Sequence, residues 1–188
     1  MLDNLQIAAC GGIALLAVVV IFSYNRVAML ALRCERAAAD IDVQLRYRHD
    51  LLPNLIEAVK GFASHERSVV EQLMSARSAA AHASNPAERD VAEAEMSTGI
   101  GLVFATVERY PEVRGSQHFT ELRREMTDVE NKIVAARRFL NMAVTEYNAT
   151  VSQFPANIIA KVTGLRQKSM FDLGSRRPEF EDAAVAKF

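Results

Sequence analysis

The chain has 188 residues, a formal net charge of −1, 50% hydrophobic residues and no tryptophan. That length suits one domain of ordinary size, and the balanced charge argues against nucleic acid as a partner. Two cysteines, Cys10 in the first apolar run and Cys34 well beyond it, exclude a disulfide scaffold and a zinc ligand set.

Good helix formers dominate, so composition points to an all-α fold. Leu5 to Tyr24 reads LQIAACGGIALLAVVVIFSY, with Gln6 its one strongly polar side chain. At roughly 1.5 Å per residue this run spans about 30 Å, the thickness of a bilayer's hydrocarbon core. Met1-Leu2-Asp3-Asn4 holds no Lys or Arg, and a cleavable signal peptide needs a positive start. An uncleaved single-pass anchor over 5–24 is expected, after a short extracytoplasmic stretch at 1–4. Asp3 precedes the span, and Arg26, Arg33 and Arg36 follow it. The positive-inside bias therefore expects the remainder in the cytoplasm. Tyr24 and Arg26 are expected at the membrane surface. Ala8 and Gly12 form a weak small-xxx-small pair.

From Val27 the apolar residues recur at spacings of three and four: Val27, Leu30, Ala31, Cys34, Ala37, Ala38, Ile41 and Leu45. The same phase continues through Leu51, Leu52, Leu55, Val59, Phe62, Val69, Leu73 and Ala76, which is the inward face of a bundle helix. Pro53 lacks the N–H that would bond residue 49, and Asp50 is placed to cap a new helix. Gly61 is placed to end one, with Ser64 capping the next. The phase is unbroken across Pro53, so a kink is expected there and the turn near Gly61 to His65.

Asn85, Pro86 and Glu88 read as N-cap, first and third residues of the next helix. That helix carries Ala92, Met96, Ile100, Val103, Phe104, Val107 and Tyr110 on one face, and Gly99 and Gly101 would admit another backbone. Pro111 is expected to end it, with PEVRGSQ as a loop. The longest rhythm follows: Phe119, Leu122, Met126, Val129, Ile133, Ala136, Leu140, Ala143, Tyr147 and Phe154. It covers about 35 residues, or about 53 Å. Pro155 stops it. Ile158, Ile159, Val162 and Leu165 then alternate with Lys161, Arg166 and Lys168, an amphipathic segment over 155–170 of the kind that lies on membranes. The tail, 171–188, has little core material and reads as mobile. The whole is an elongated antiparallel bundle of long helices over 25–154, four favoured and three as the alternative. With four, Lys161 and Arg166 return to the lipid surface.

Candidate chemistry is thin. His49 and Asp50 are adjacent, so on a helix they point about 100° apart and share no site. His65, His82 and His118 make no metal pair either. Glu121, Glu125 and Asp128 have metal-pair spacing but sit among Arg123, Arg124 and Lys132, which reads as a solvated face. No GxSxG elbow occurs. No catalytic residue, cofactor or metal is expected. Arg48 differs, because it falls in phase with Ile41 and Leu55. A buried arginine needs an acid, with Glu130 and Glu146 as candidates. At the stripe's edge it would reach water instead. Gln44, His65 and Gln72 also interrupt the stripe.

The runs IDVQLRYRHDLLPNLIEAVKGFASHE (Ile41 to Glu66), FATVERYPEVR (Phe104 to Arg114), ENKIVAARRFLNMAVTEYN (Glu130 to Asn148) and FPANIIA (Phe154 to Ala160) carry a resemblance. With SYN at Ser23 to Asn25, the sequence resembles the LemA family up to about Phe171. The resemblance implies a single-pass anchor with a cytoplasmic helical bundle and no established catalysis. Relatives in this bacterial family are associated with magnetosome membranes and with neighbourhoods encoding membrane proteases, which implies organisation of the inner membrane or an adaptor role. The tail beyond Phe171 departs from the family's shorter ending. The expected function is a self-associating membrane scaffold, with an adaptor of a membrane protease or envelope stress response as the alternative. The expected partners are the lipid bilayer, further copies of the chain and a membrane protein. Arg48, Asp50, Pro53, Asn54, Glu130, Tyr147 and Asn148 are expected to hold the bundle's geometry or its partner.

Overall fold

A computed structural model describes residues 2–60 and 66–171. Its described residues are mostly helical, with no strand among them. Helix α1 is Leu2–Ala58, α2 is Arg67–His82, α3 is Pro86–Val107, α4 is Pro111–Arg114, α5 is Gln117–Ser152 and α6 is Ala156–Thr163. The turn expected at Gly61 to His65, like the tail from Asp172 onward, lies outside the described residues.

Helix α1 runs through Pro53 without a break. Pro53 is exposed, so water can serve the carbonyl that the missing N–H leaves free. No helix begins at Asp50, which corrects the cap expected there. The cap at Asn85 does form: its side chain accepts from the Glu88 N–H at 2.9 Å, and Glu88 accepts from the Ser84 N–H at 2.9 Å. Pro111 does not open a loop. It takes the first position of α4, where its missing N–H costs nothing, and the Gly115 N–H closes that turn on the Pro111 carbonyl at 2.9 Å.

The chain divides into two compact units. The mid-chain unit covers Ile41–Val134. Its core joins Leu51, Leu52, Leu55 and Val59, just past α1's end, to Leu73 and Ala76 of α2. Met96, Ile100, Val103 and Val107 of α3 complete it with Phe119, Leu122, Met126 and Val129 of α5. Gly99 is buried against Leu73, where an added Cβ would lie 3.2 Å from Cδ1 and 3.4 Å from Cα. Gly101 faces open space instead, so only one of the two glycines serves a close approach.

The terminal unit comprises the residues up to Asp40 and those from Ala135 onward. Its core joins Val27, Leu30 and Cys34 of α1 to Ala143, Val144, Tyr147 and Val151 of α5 and to Ala156 and Ala160 of α6. Burial raises the Cys34 thiol's pKa above its ordinary value, against the opposing pull of Lys168. Phe154, expected on the inward stripe, is exposed, because α5 stops at Ser152 and the helical phase ends with it. Ala38 is exposed as well. Before Val27, α1 carries the one described helical stretch long and apolar enough to cross a membrane, and none of that window is buried.

Candidate functional site

The most unusual chemistry among the described residues sits inside the mid-chain unit. Ile41, Leu45, Arg48, Leu52 and Leu55 succeed one another on the inward face of α1, so helical geometry drives Arg48 into the core. It is fully buried. Its guanidinium has two carboxylate partners. Nη1 donates to Glu130 Oε1 on α5 at 2.6 Å and also to Ser97 Oγ on α3. Nη2 donates to Glu93 Oε2 on α3, and to the Glu93 carbonyl at 3.2 Å. Nε has no hydrogen-bond partner.

Glu93 is as buried as Arg48, and both its carboxylate oxygens are engaged: Oε1 lies 3.0 Å from Nε2 of His49. Burial pushes the Glu93 carboxyl up, but the bond to His49 and the Arg48 charge outweigh it. The carboxyl is held below its ordinary range. Ser97 reaches Glu130 Oε2 at 3.1 Å and closes the network. Glu130 is about a quarter exposed, so the cluster meets water on that side.

This arrangement ties α1, α3 and α5 of the mid-chain unit at one level. It offers little else. Both Glu93 oxygens are already engaged, so neither is free to take a proton from a substrate. Among the described residues no three His, Cys, Asp or Glu side chains gather as metal ligands.

The other expected residues fall elsewhere. Glu146, the second candidate for Arg48, accepts from Arg33 at 2.7 Å in the terminal unit, with both side chains about half exposed. Asp50, Pro53 and Asn54 are exposed on α1. Gln44 is half-buried, Gln72 is exposed, and His65 lies outside the described residues. His49 is drawn inward rather than left at the surface, since Glu93 waits beside Arg48. Glu93 itself went unnoticed in the sequence. The signal was present: Glu93 stands three, four and seven positions before Met96, Ser97 and Ile100, on α3's inward face, by the spacing that singles out Arg48.

Tyr147 and Asn148 belong to a second arrangement, in the terminal unit. Tyr147 is buried, and its hydroxyl donates to the Arg166 carbonyl at 3.0 Å. Asn148 donates to the Lys168 carbonyl at 2.8 Å and accepts from the Lys168 N–H at 2.9 Å. Asn141, two turns earlier and absent from the expected set, holds Phe171 in the same two-sided way at 2.9 and 2.8 Å. The segment after α6 is thus strapped along α5, with the Arg137 guanidinium 4.4 Å over the Phe171 ring. Tyr24, Arg26, Lys161 and Arg166 are all exposed.

Residues 37–186 match the LemA family, which is most of the chain. The chain belongs to the LemA family. The match runs past Phe171 almost to the end, so it includes the tail that the motifs set apart; it begins after Ser23 to Asn25. Among relatives, the magnetosome protein MamQ of Magnetospirillum gryphiswaldense is 25% identical over 80 residues. Magnetosome protein MamQ 2 of Paramagnetospirillum magneticum is similar to the same degree. These alignments span 43% of this LemA-family chain and 29% of each relative's own length. Family, relatives and the exposed apolar stretch of α1 together point to a membrane-associated helical protein.

Proposed function

We propose that this LemA-family protein is a membrane-anchored helical scaffold that self-associates and organises a bacterial membrane. The observation that carries the reading is in α1. One uninterrupted helix passes from a wholly exposed apolar stretch into the packed core that begins at Val27. An anchor joined to its domain by continuous helix transmits position and orientation, as a scaffold requires and a flexible tether does not. Anchoring also confines the copies to two dimensions, where weak contacts suffice for assembly. Met29 and Leu32 on α1 and Phe139 and Met142 on α5 stay exposed in the terminal unit, and supply apolar surface for such contacts. The similarity to magnetosome proteins favours an organising role over a catalytic one. So does the closed Arg48 cluster, whose charges face each other.

Native mass measurement of the full chain in lipid nanodiscs tests this. A uniform homo-oligomer is expected, weakened by Met142→Asp. A protein that stays monomeric at every loading would sink the scaffold and leave the adaptor reading.

A further inference from the structure

Helix α6 buries one face and leaves another bare. Ala156, Ile159 and Ala160 face the core of the terminal unit. Phe154 lies in the turn just before the helix, and Ile158 and Val162 lie one turn apart on its opposite side. These three are 79%, 54% and 82% exposed. A helix this short rarely presents a bare apolar ridge to water without an occupant. Along the sequence the charge of this segment is one-sided, although Lys168 also pairs with Glu35 of α1 at 3.8 Å. No acidic residue occurs between Glu146 and Asp172, while Lys161, Arg166 and Lys168 all do.

The location of the ridge names the occupant. Ala156 and Ala160 share their core with Val27 and Leu30. Those residues stand three and six positions after Tyr24, where the apolar stretch ends. On a continuous helix that is about 5 and 9 Å beyond the hydrocarbon edge. The headgroup layer on each side of a bilayer is about 5–8 Å thick. Helix α6 therefore packs at headgroup height, and the exposed Arg26 sits at the same level on α1.

We propose that Phe154, Ile158 and Val162 insert into the headgroup layer of the bilayer that α1 enters, with Lys161 and Arg166 paired to anionic lipid phosphates. The protein then holds its membrane at two places, a span and an interfacial foot. Two attachments fix the rotation of the domain about the span, which a lone helix leaves free. This inference rests on reading the apolar stretch as an anchor.

The test uses the full chain, one copy per nanodisc of phosphatidylethanolamine and phosphatidylglycerol, with Cys10→Ser and Cys34→Ala as background. A polarity-sensitive dye goes on Val162→Cys, on Met142→Cys as an exposed site of the same unit, or on Leu16→Cys within the span. Lipid-borne nitroxides at headgroup depth should quench the dye at residue 162 at least about five-fold more than at residue 142, and aqueous iodide should do the reverse. Equal behaviour at 162 and 142, with residue 16 quenched by lipid, overturns the foot and leaves the anchor standing. Loss of lipid quenching at residue 16 removes the anchor reading and the foot with it. Shielding of residue 162 only in discs holding several copies would assign the ridge to a second copy and also overturn the proposal.

Discussion

The mid-chain unit packs Leu52, Leu55, Leu73, Phe119 and Met126 around a buried arginine and its two glutamates. The terminal unit packs alanines, a cysteine and valines around Tyr147 and ties down its last described segment with neutral amides. The two chemistries answer different needs. Where regular helices meet, the backbone already satisfies itself and any apolar stripe will bind any other. A charged cluster at one level then penalises every shifted register, because each shift strands a buried charge. Where an irregular strap crosses a helix, the unpaired groups are backbone N–H and C=O. An asparagine offers one donor and one acceptor in the geometry a peptide group wants.

The largest expected effect separates the two kinds of ion pair. Glu93→Ala should cost about 3–5 kcal/mol, because it leaves Arg48 buried with one partner. Arg33→Ala, in the terminal unit's exposed pair with Glu146, should cost about 0–1 kcal/mol. Denaturant titration of the full chain in detergent, followed by helical circular dichroism, measures both. Equal costs would erase the distinction.

Next comes the strap. Asn148→Ala removes two hydrogen bonds to Lys168 and should cost about 1–2 kcal/mol. The loss should appear locally, as amide exchange roughly ten-fold faster at Lys168, with the mid-chain core unchanged.

Acid should probe the mid-chain unit selectively. The folded Glu93 carboxyl has a pKa below the ordinary 4.5. Its contribution is therefore fully present above the unfolded value and is lost as pH falls through the folded one. Stability should decline as pH drops below about 4.5, and Glu93→Gln should flatten that part of the profile. An unaltered slope in the variant would show that another carboxylate carries it.

The smallest effect tests packing within the mid-chain unit. Gly101→Ala meets nothing and should stabilise α3 by about 0.5–1 kcal/mol. Gly99→Ala must displace Leu73 and should forfeit that gain.

Much of this was legible beforehand, for a local reason. Helical periodicity belongs to neighbouring residues, so Val27 through Val59 and Phe119 through Tyr147 declared their inward faces without any knowledge of what they face. The Asn85 cap is equally local. Arg48 stood out because one charge on an apolar stripe needs no partner to be noticed. Glu93 escaped because Ala92 beside it already filled an inward position on the stripe, and the structure buries both. The one-turn helix at Pro111–Arg114 escaped because proline both ends one helix and suits the start of another.

Sequence alone determined the all-helical fold, the long apolar stretch after the N-terminus, the family, and the position of Arg48 in phase with the apolar stripe. Each follows from residue type and spacing along one element. Tertiary structure decided which acids Arg48 meets: Glu93 and Glu130 rather than Glu146. It turned His49 toward Glu93, gave Asn141 and Asn148 a strap to hold, and left Phe154, Ile158 and Val162 bare. Those outcomes depend on which helix faces are brought together and at what level, and no spacing within a single helix encodes that.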